Sequence, residues 1–455
     1  MRNENVRGFR LQLSEVKVLA YADDIAVFCE DRDSVLEVVH LVKKYCEQSG
    51  SQINWQKSIG IWHGHWDIIP AHFANIRWST TPTKYLGVPL EHYNDTAQYW
   101  SDEADRMSEK SKGWLGRDLS MFGRASVCNL FLVAKVWYIM QVLSMCRSSV
   151  QKMHRVFAVF IWASSWERIS RTNLFRSARS GGLGLSHLFI RQIVSRFLFF
   201  RDQRNDFLRT VIQVRLGKAL PQYVVTTSDV KGGSIRGYLR EVVDSLRMLS
   251  VRFSMEYLCS VTRKTLYKDL VDTMLPIPLY RSVNWGGQGD DVLKRVKKMP
   301  VRPSQKTFFF KLHTNTLPVK TWLDEKGIYV PWTVNCLLCK KPETIEHVFI
   351  DCWDPTFHWD ILQRTLKKEL PITPLGIRYL PTDNEGGVPY DMFMLLGLHS
   401  LWKTRMAVRH SDVDTRPTRI NFIESVAYIR AIYRAQSEPP EWVAILDELI
   451  KLKRF

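Results

Sequence analysis

Short apolar runs at Val16, Val18, Leu19 and Ala20 and at Ile25, Ala26, Val27 and Phe28 bracket a tip that reads Tyr21-Ala22-Asp23-Asp24. Runs of that length closing on turn-forming residues predict a β-hairpin carrying two adjacent carboxylates. Leu36, Val39, Leu41, Val42 and Tyr45 then follow a helical pattern that Gly50 stops. Charged and apolar positions interleave from Tyr99 to Arg117, and a strongly apolar run begins at Val127. Within it Leu130, Phe131, Ala134 and Tyr138 recur at helical spacing, which predicts a helix buried along that face. Asn129, Lys135 and Gln141 interrupt the run before Cys146, so it reads as core and not as a membrane span.

These patterns divide the chain. Residues 1–90 alternate strands with one helix, residues 91–200 turn helical, and residues 201–302 are mixed and basic. In that third stretch Gly232-Gly233 and Gly286-Gly287 punctuate loops, and Leu293 to Pro300 is a charge run ending at a breaker. A connecting, mobile surface is favoured there over a dedicated nucleic-acid contact. Residues 303–360 hold a Cys/His cluster, and residues 361–455 read as helices after a loop at Thr382 to Gly387. The expected fold class is α+β. At 455 residues the chain exceeds what one core usually organises, and an apolar content of 45% can fill several.

Charge narrows the partners. A formal charge of +18 spread along the chain points to a polyanion, and nucleic acid outranks a membrane surface. Abundant aromatic residues add stacking surfaces for bases. The opening residues Met1 to Arg10 are polar and charged, unlike a secretory signal, so the chain is expected inside the cell. Eight cysteines in a reducing compartment argue against a disulfide framework. Cys29, Cys46, Cys128, Cys146 and Cys259 stand singly in apolar contexts and read as core packing.

Two constellations carry chemistry. Asp23 and Asp24, held on a strand-turn-strand, can help bind the two Mg2+ ions of phosphoryl transfer, although an ordinary Asp-rich turn would look the same over four letters. The second is Cys336-x2-Cys339-x7-His347-x4-Cys352. Two thiolates on a short turn and a His-Cys pair about one helical turn apart can close a tetrahedron on Zn2+, at ~2.3 Å to sulfur and ~2.0 Å to nitrogen. Four protein ligands close such a site, so the zinc would be structural; His358 is a reserve ligand. A redox reading of Cys336 and Cys339 lacks the βαβ context it needs. His63, His65 and Asp67 read as solvated surface.

The order of blocks resembles the palm of reverse transcriptases from non-LTR (LINE-type) retrotransposons. The carrying motifs are the Tyr-Ala-Asp-Asp hairpin, the helix ending in Gly50 with Asn54 and Lys57 following, and Lys84-Tyr85-Leu86-Gly87-Val88-Pro89-Leu90. Leu119 to Ala125 looks like that family's thumb entry, and the resemblance continues through Phe160-Ile161-Trp162 with Gly181-Gly182-Leu183-Gly184-Leu185. Glu343 to Phe349 is similar to the zinc-knuckle-like domain that follows the thumb. The resemblance implies a partial palm over 1–90, a helical thumb over 91–200, a connecting region over 201–302, a zinc module over 303–360 and a helical C-terminal region over 361–455. It implies RNA template, DNA primer and deoxynucleotide as partners, and the nucleus and cytoplasm as the setting.

By the same resemblance Asp23 and Asp24 are catalytic Mg2+ ligands, and Lys57 lies near the incoming triphosphate, where it could protonate the leaving pyrophosphate. Tyr21, Lys84, Tyr85 and Gly87 would touch nucleic acid, and Arg124 would pair with phosphate. Each also fits a plain structural role, an exposed lysine after a loop or a glycine at a tight turn.

Departures matter for activity. A complete family member carries a third metal-binding aspartate and a fingers domain before this hairpin, whereas about twenty residues precede Tyr21. The expectation is therefore a C-terminal part of a polymerase for target-primed reverse transcription, inactive alone. The alternative is a non-catalytic RNA- or DNA-binding protein derived from a retrotransposon.

Overall fold

A computed structural model of the chain describes residues 4–64, 70–79, 83–90, 96–225, 234–278, 280, 291–330, 333–382, 384–410 and 415–452. Nine short strands among the described residues all lie before residue 91, and helices dominate thereafter, as an α+β chain requires. Two compact units form: Met1–Glu103 with Ala134–Lys152 and Leu188–Leu270, and Ala104–Val133 with Met153–His187 and Val271–Phe455.

In the first unit the strands make small separate sheets. Phe9–Leu11 pairs antiparallel with Ser14–Val16, Val18–Tyr21 with Asp24–Val27, and Thr83–Tyr85 with Val88–Leu90. Ile76–Ser79 lies between a parallel neighbour, Ile59–Ile61, and an antiparallel one, His72–Phe73. Gly60 is required there, because a Cβ would lie 2.3 Å from the Trp78 ring, itself stacked on Trp62 at 4.0 Å. The helix Arg32–Ser49 starts on Asp31, whose carboxylate accepts the Ser34 amide, and stops at Gly50 with φ of 69°. Its buried face is Val35, Val38 and Val39; Leu36 and Tyr45 of the expected face are exposed. The first unit also closes around Arg196, which is fully buried, donates to the Met140 carbonyl at 2.6 Å and pairs with Glu241 at 2.8 Å.

The second unit is helical. Pro303–His313, Trp353–Leu366, Tyr390–His410, Thr418–Arg434 and Val443–Ile450 pack around Phe309, Phe310, Phe349, Phe393 and Phe422, all fully buried. Gly397 lets Trp359 close on the helix Tyr390–His410: a Cβ there would sit 2.8 Å from the indole.

Three expectations change. The apolar run after Val127 is not one helix buried along Leu130, Phe131, Ala134 and Tyr138. A helix, Met121–Val127, passes through a π-helical turn, Cys128–Val133, into a second helix, Ala134–Met140. Cys128, Leu132, Val133, Val136, Ile139 and Met140 are buried, while Leu130 is 67% exposed. The run is apolar on all sides, so its periodicity could not choose a face. Of the lone cysteines read as core, Cys128 is buried but Cys146 and Cys259 are exposed.

The described part of 201–302 is ordered helix in place of a connecting surface. It contains Asp206–Leu216, Gly237–Ser250, Met255–Ser260, Arg263–Met274 and Val292–Lys298, with Val242, Leu246, Leu293 and Val296 buried. Within the charge run Arg295 pairs with Asp391 and donates to the Leu380 carbonyl at 2.9 Å. Gly232-Gly233, Gly286-Gly287, Asp383, His65 and Asp67 lie outside the described residues.

Candidate catalytic hairpin and metal centre

Tyr21 faces Asp24 across the hairpin, leaving Ala22 and Asp23 as a two-residue turn. Two-residue connections match strand twist when a central residue takes positive φ, and Ala22 does so at 50°. Alanine in that region costs about 1–2 kcal/mol. Asp23 therefore occupies the tip and Asp24 the first position of the returning strand. Both are exposed, as are Tyr21 and Ile25, and neither carboxylate has a hydrogen-bond or ion-pair partner among the described residues.

The other expected contact residues fall on a turn, a hairpin and a helix. Lys57 is exposed, its amide donating to the Asn54 side-chain oxygen at 3.1 Å. Lys84 and Tyr85 lie on the strand that pairs with Val88–Leu90, and Leu86 and Gly87 form the turn with φ of 49° and 76°. Tyr138 donates its hydroxyl to the Leu86 carbonyl at 2.5 Å, fixing this turn to the helix Ala134–Met140. Arg124 is the fourth residue of Met121–Val127, in its last turn, half-buried and donating to the Ile161 carbonyl at 3.3 Å.

The four zinc-ligand candidates do come together. One ligand atom from each of Cys336, Cys339, His347 and Cys352 lies within 4.8 Å of all the others. Among the described residues no other group of three or more His, Cys, Asp or Glu side chains does this, so no third such group joins Asp23 and Asp24.

Local chemistry explains the convergence. The Asn335 and Pro342 backbones bridge, and the Cys336 amide donates to the Lys341 carbonyl at 2.7 Å. Lys340 turns the chain at φ of 63°, and the Leu338 amide donates to the Cys336 sulfur at 3.4 Å. The other half is a π-helical turn, His347–Asp351. Its wider winding sets residues five apart over each other, as the Cys352 amide to His347 carbonyl bond of 3.1 Å shows. Both side chains thereby face the thiol turn.

The fit to zinc can be checked on one edge. A tetrahedron with metal–sulfur bonds of ~2.3 Å has sulfur–sulfur edges of about 3.8 Å, and the Cys336 and Cys352 sulfurs are 3.8 Å apart. Cys339 Sγ lies 3.1 Å from His347 Nε2. His358, the reserve ligand, is not in the group; burial pushes it down to about 4.

Residues invisible to motif reading complete the centre. Arg405, buried on Tyr390–His410, donates to the Cys336 sulfur at 2.9 Å and the Cys352 sulfur at 3.4 Å. The buried Glu343 carboxylate pairs with Arg409 and lies 4.0 Å from Arg405. Lys320 closes the group by donating to the Asn335 carbonyl at 2.8 Å. Burial alone would push the Cys336 thiol up. Hydrogen bonds from the Cys339 and Leu338 amides and from His347, with the Arg405 charge, outweigh it and bring the thiol down to about 6. No sequence periodicity marks Arg405 as different from the other basic residues of its helix.

Comparison with known proteins follows the same two places. Residues 2–90 match the family described as "Reverse transcriptase (RNA-dependent DNA polymerase)", and residues 278–359 match "zinc-binding in reverse transcriptase". The chain is also 29% identical over 211 residues to "Transposon TX1 uncharacterized 149 kDa protein" of Xenopus laevis. That alignment covers 43% of this chain and spans 16% of the relative's length. No helix among the described residues is long and apolar enough to cross a membrane.

Proposed function

From the premise that the chain groups with the reverse transcriptases of non-LTR (LINE-type) retrotransposons, we propose that it is part of an RNA-directed DNA polymerase acting by target-primed reverse transcription. The observation that carries the reading is the Val18–Val27 hairpin, which presents Asp23 and Asp24 side by side at an exposed tip within the reverse-transcriptase match. Residues 1–90 act as palm, 91–200 as thumb and 303–360 as zinc module, joined through 201–302 and followed by the helical region 361–455. RNA template, DNA primer and deoxynucleotide are the partners, and nucleus and cytoplasm the setting.

Mg2+ bound there would supply charge neutralisation for the attacking and leaving oxygens. Asp23 and Asp24 are its proposed ligands, and Lys57 is the residue proposed to hold or deliver a proton at the leaving phosphate. Tyr21, Lys84, Tyr85 and Gly87 line the primer strand, and Arg124 takes a backbone phosphate. Two carboxylates are too few to fix two ions in line with a primer hydroxyl, and no third converges on them among the described residues. The 455-residue chain alone is therefore proposed to hold nucleic acid without extending it. Zinc at Cys336, Cys339, His347 and Cys352 is structural, with all four positions taken by protein.

Primer extension tests this directly. The chain alone should give no template-directed product, whereas a longer protein that adds an upstream third aspartate and fingers in frame should, and should lose it on Asp23→Asn. Extension by the 455-residue chain, lost on Asp23→Asn, would overturn the account of what two carboxylates can do.

A further inference from the structure

Three half-buried cations of the second unit, Arg124, Arg168 and Lys311, lie near enough for the first two charges to act on the third, and none forms an ion pair with a carboxylate among the described residues. Lys311 lies on Pro303–His313, and its ammonium has no hydrogen-bond or ion-pair partner among the described residues. Arg168 donates to the Thr316 carbonyl at 3.3 Å, and Thr316 is tied back to Lys311 by its amide, 2.9 Å from the Lys311 carbonyl. The Trp166 and Trp322 rings, 5.4 and 5.7 Å away, keep the Arg168 guanidinium in place. Arg124 adds a third charge, and its buried Nε has no partner. Burial, then the Arg168 and Arg124 charges, push Lys311 down to about 8.

The contrast with other cations of the second unit is specific. Arg155 and Arg171 share Glu167, Arg405 and Arg409 share Glu343, and Arg295 has Asp391. The acid that acts on Arg124 is the exposed Asp118, which forms no ion pair with it among the described residues. Gathering like charges away from water is unfavourable unless an anion joins them. A phosphodiester matches, since its oxygens accept from guanidinium forks and from a lysine together.

We propose that Arg124, Arg168 and Lys311 form a subsite for one backbone phosphate of bound nucleic acid, linking the thumb entry to the first helix of the zinc module. The proposal rests on the nucleic-acid reading above. Its probe is a single-stranded RNA of mixed sequence, titrated across a salt series against the parent, Lys311→Gln and Lys311→Arg. Lys311→Gln should weaken binding by a similar factor for different sequences and reduce the log–log salt slope by about 0.7. Lys311→Arg should retain the parental slope.

In a second arm the parent is acetylated at lysine and mapped by mass spectrometry, with and without the RNA. Labelling of Lys311 should slow in the complex. RNA bound with the parental slope by Lys311→Gln, or Lys311 labelled equally fast in the complex, would overturn the subsite. If the parent binds no RNA, the nucleic-acid reading fails by itself and inorganic phosphate decides the subsite. Slowed Lys311 labelling in phosphate keeps it, and unchanged labelling removes it.

Discussion

Arg405 stands 69 positions from Cys336 in sequence and 2.9 Å from its sulfur in space. Three thiolates and a neutral histidine around Zn2+ leave a net charge of about −1, and a buried guanidinium facing two of those thiolates balances it. Groups that hold the ligands typically change metal affinity by about 10- to 100-fold when lost. Arg405→Met should therefore weaken zinc binding by about that factor in a chelator competition, and Arg405→Lys should recover only part, because an ammonium lacks the fork that reaches both sulfurs. A variant holding zinc as tightly as the parent would remove Arg405 from the centre. At this scale the convergence of the four zinc-ligand candidates was legible because their spacing is itself the chemistry. Arg405, Glu343 and Arg409 were not, since only the fold brings a distant helix onto the thiol turn.

A second residue-scale prediction concerns acid. Burial holds His358 and His399 down to about 4, whereas an unfolded histidine protonates near 6.5. Because the folded form resists the proton, their contribution is present above pH 6.5 and is lost as pH falls towards 4. A shift of that size is on the order of 3 kcal/mol per residue at full protonation. The urea midpoint should fall through this window, and less steeply for His358→Leu. An unchanged slope in the variant would mean that His358 does not titrate with unfolding.

Elements show where pattern reading succeeds and where it stops. The hairpins at Tyr21–Asp24 and Tyr85–Val88 and the helix stop at Gly50 were legible, because turn chemistry and strand-length runs act locally. The segment after Val127 was not, because a run apolar on all sides carries no phase and its π-helical turn shifts the face midway. A pair of substitutions checks the corrected face. Leu132, fully buried, should cost about 2–5 kcal/mol on Leu132→Ala. Leu130, largely exposed, should stay within about 0.5 kcal/mol on Leu130→Ala. Denaturant unfolding that ranked the two in reverse would restore the face expected from sequence.

For the whole molecule, charge favours a polyanionic partner, as the proposed function requires. Lys and Arg number 64 against 46 Asp and Glu. Many of those acids are already committed inside the fold, as Glu167, Glu241, Glu343 and Asp391 are to arginines. Each such pair neutralises one cation as well, so the excess of 18 positive charges remains for phosphates to meet. Each phosphate neutralised releases counterions, so affinity should fall with salt along a log–log line with slope near −0.9 per contact on duplex and −0.7 on single strands. If six to ten contacts form, binding weakens about 10³- to 10⁵-fold between roughly 50 and 200 mM salt. Filter binding of the purified chain to single-stranded and duplex nucleic acid measures this. Affinity that stays flat across the series would show that the charge excess serves something other than a phosphate backbone.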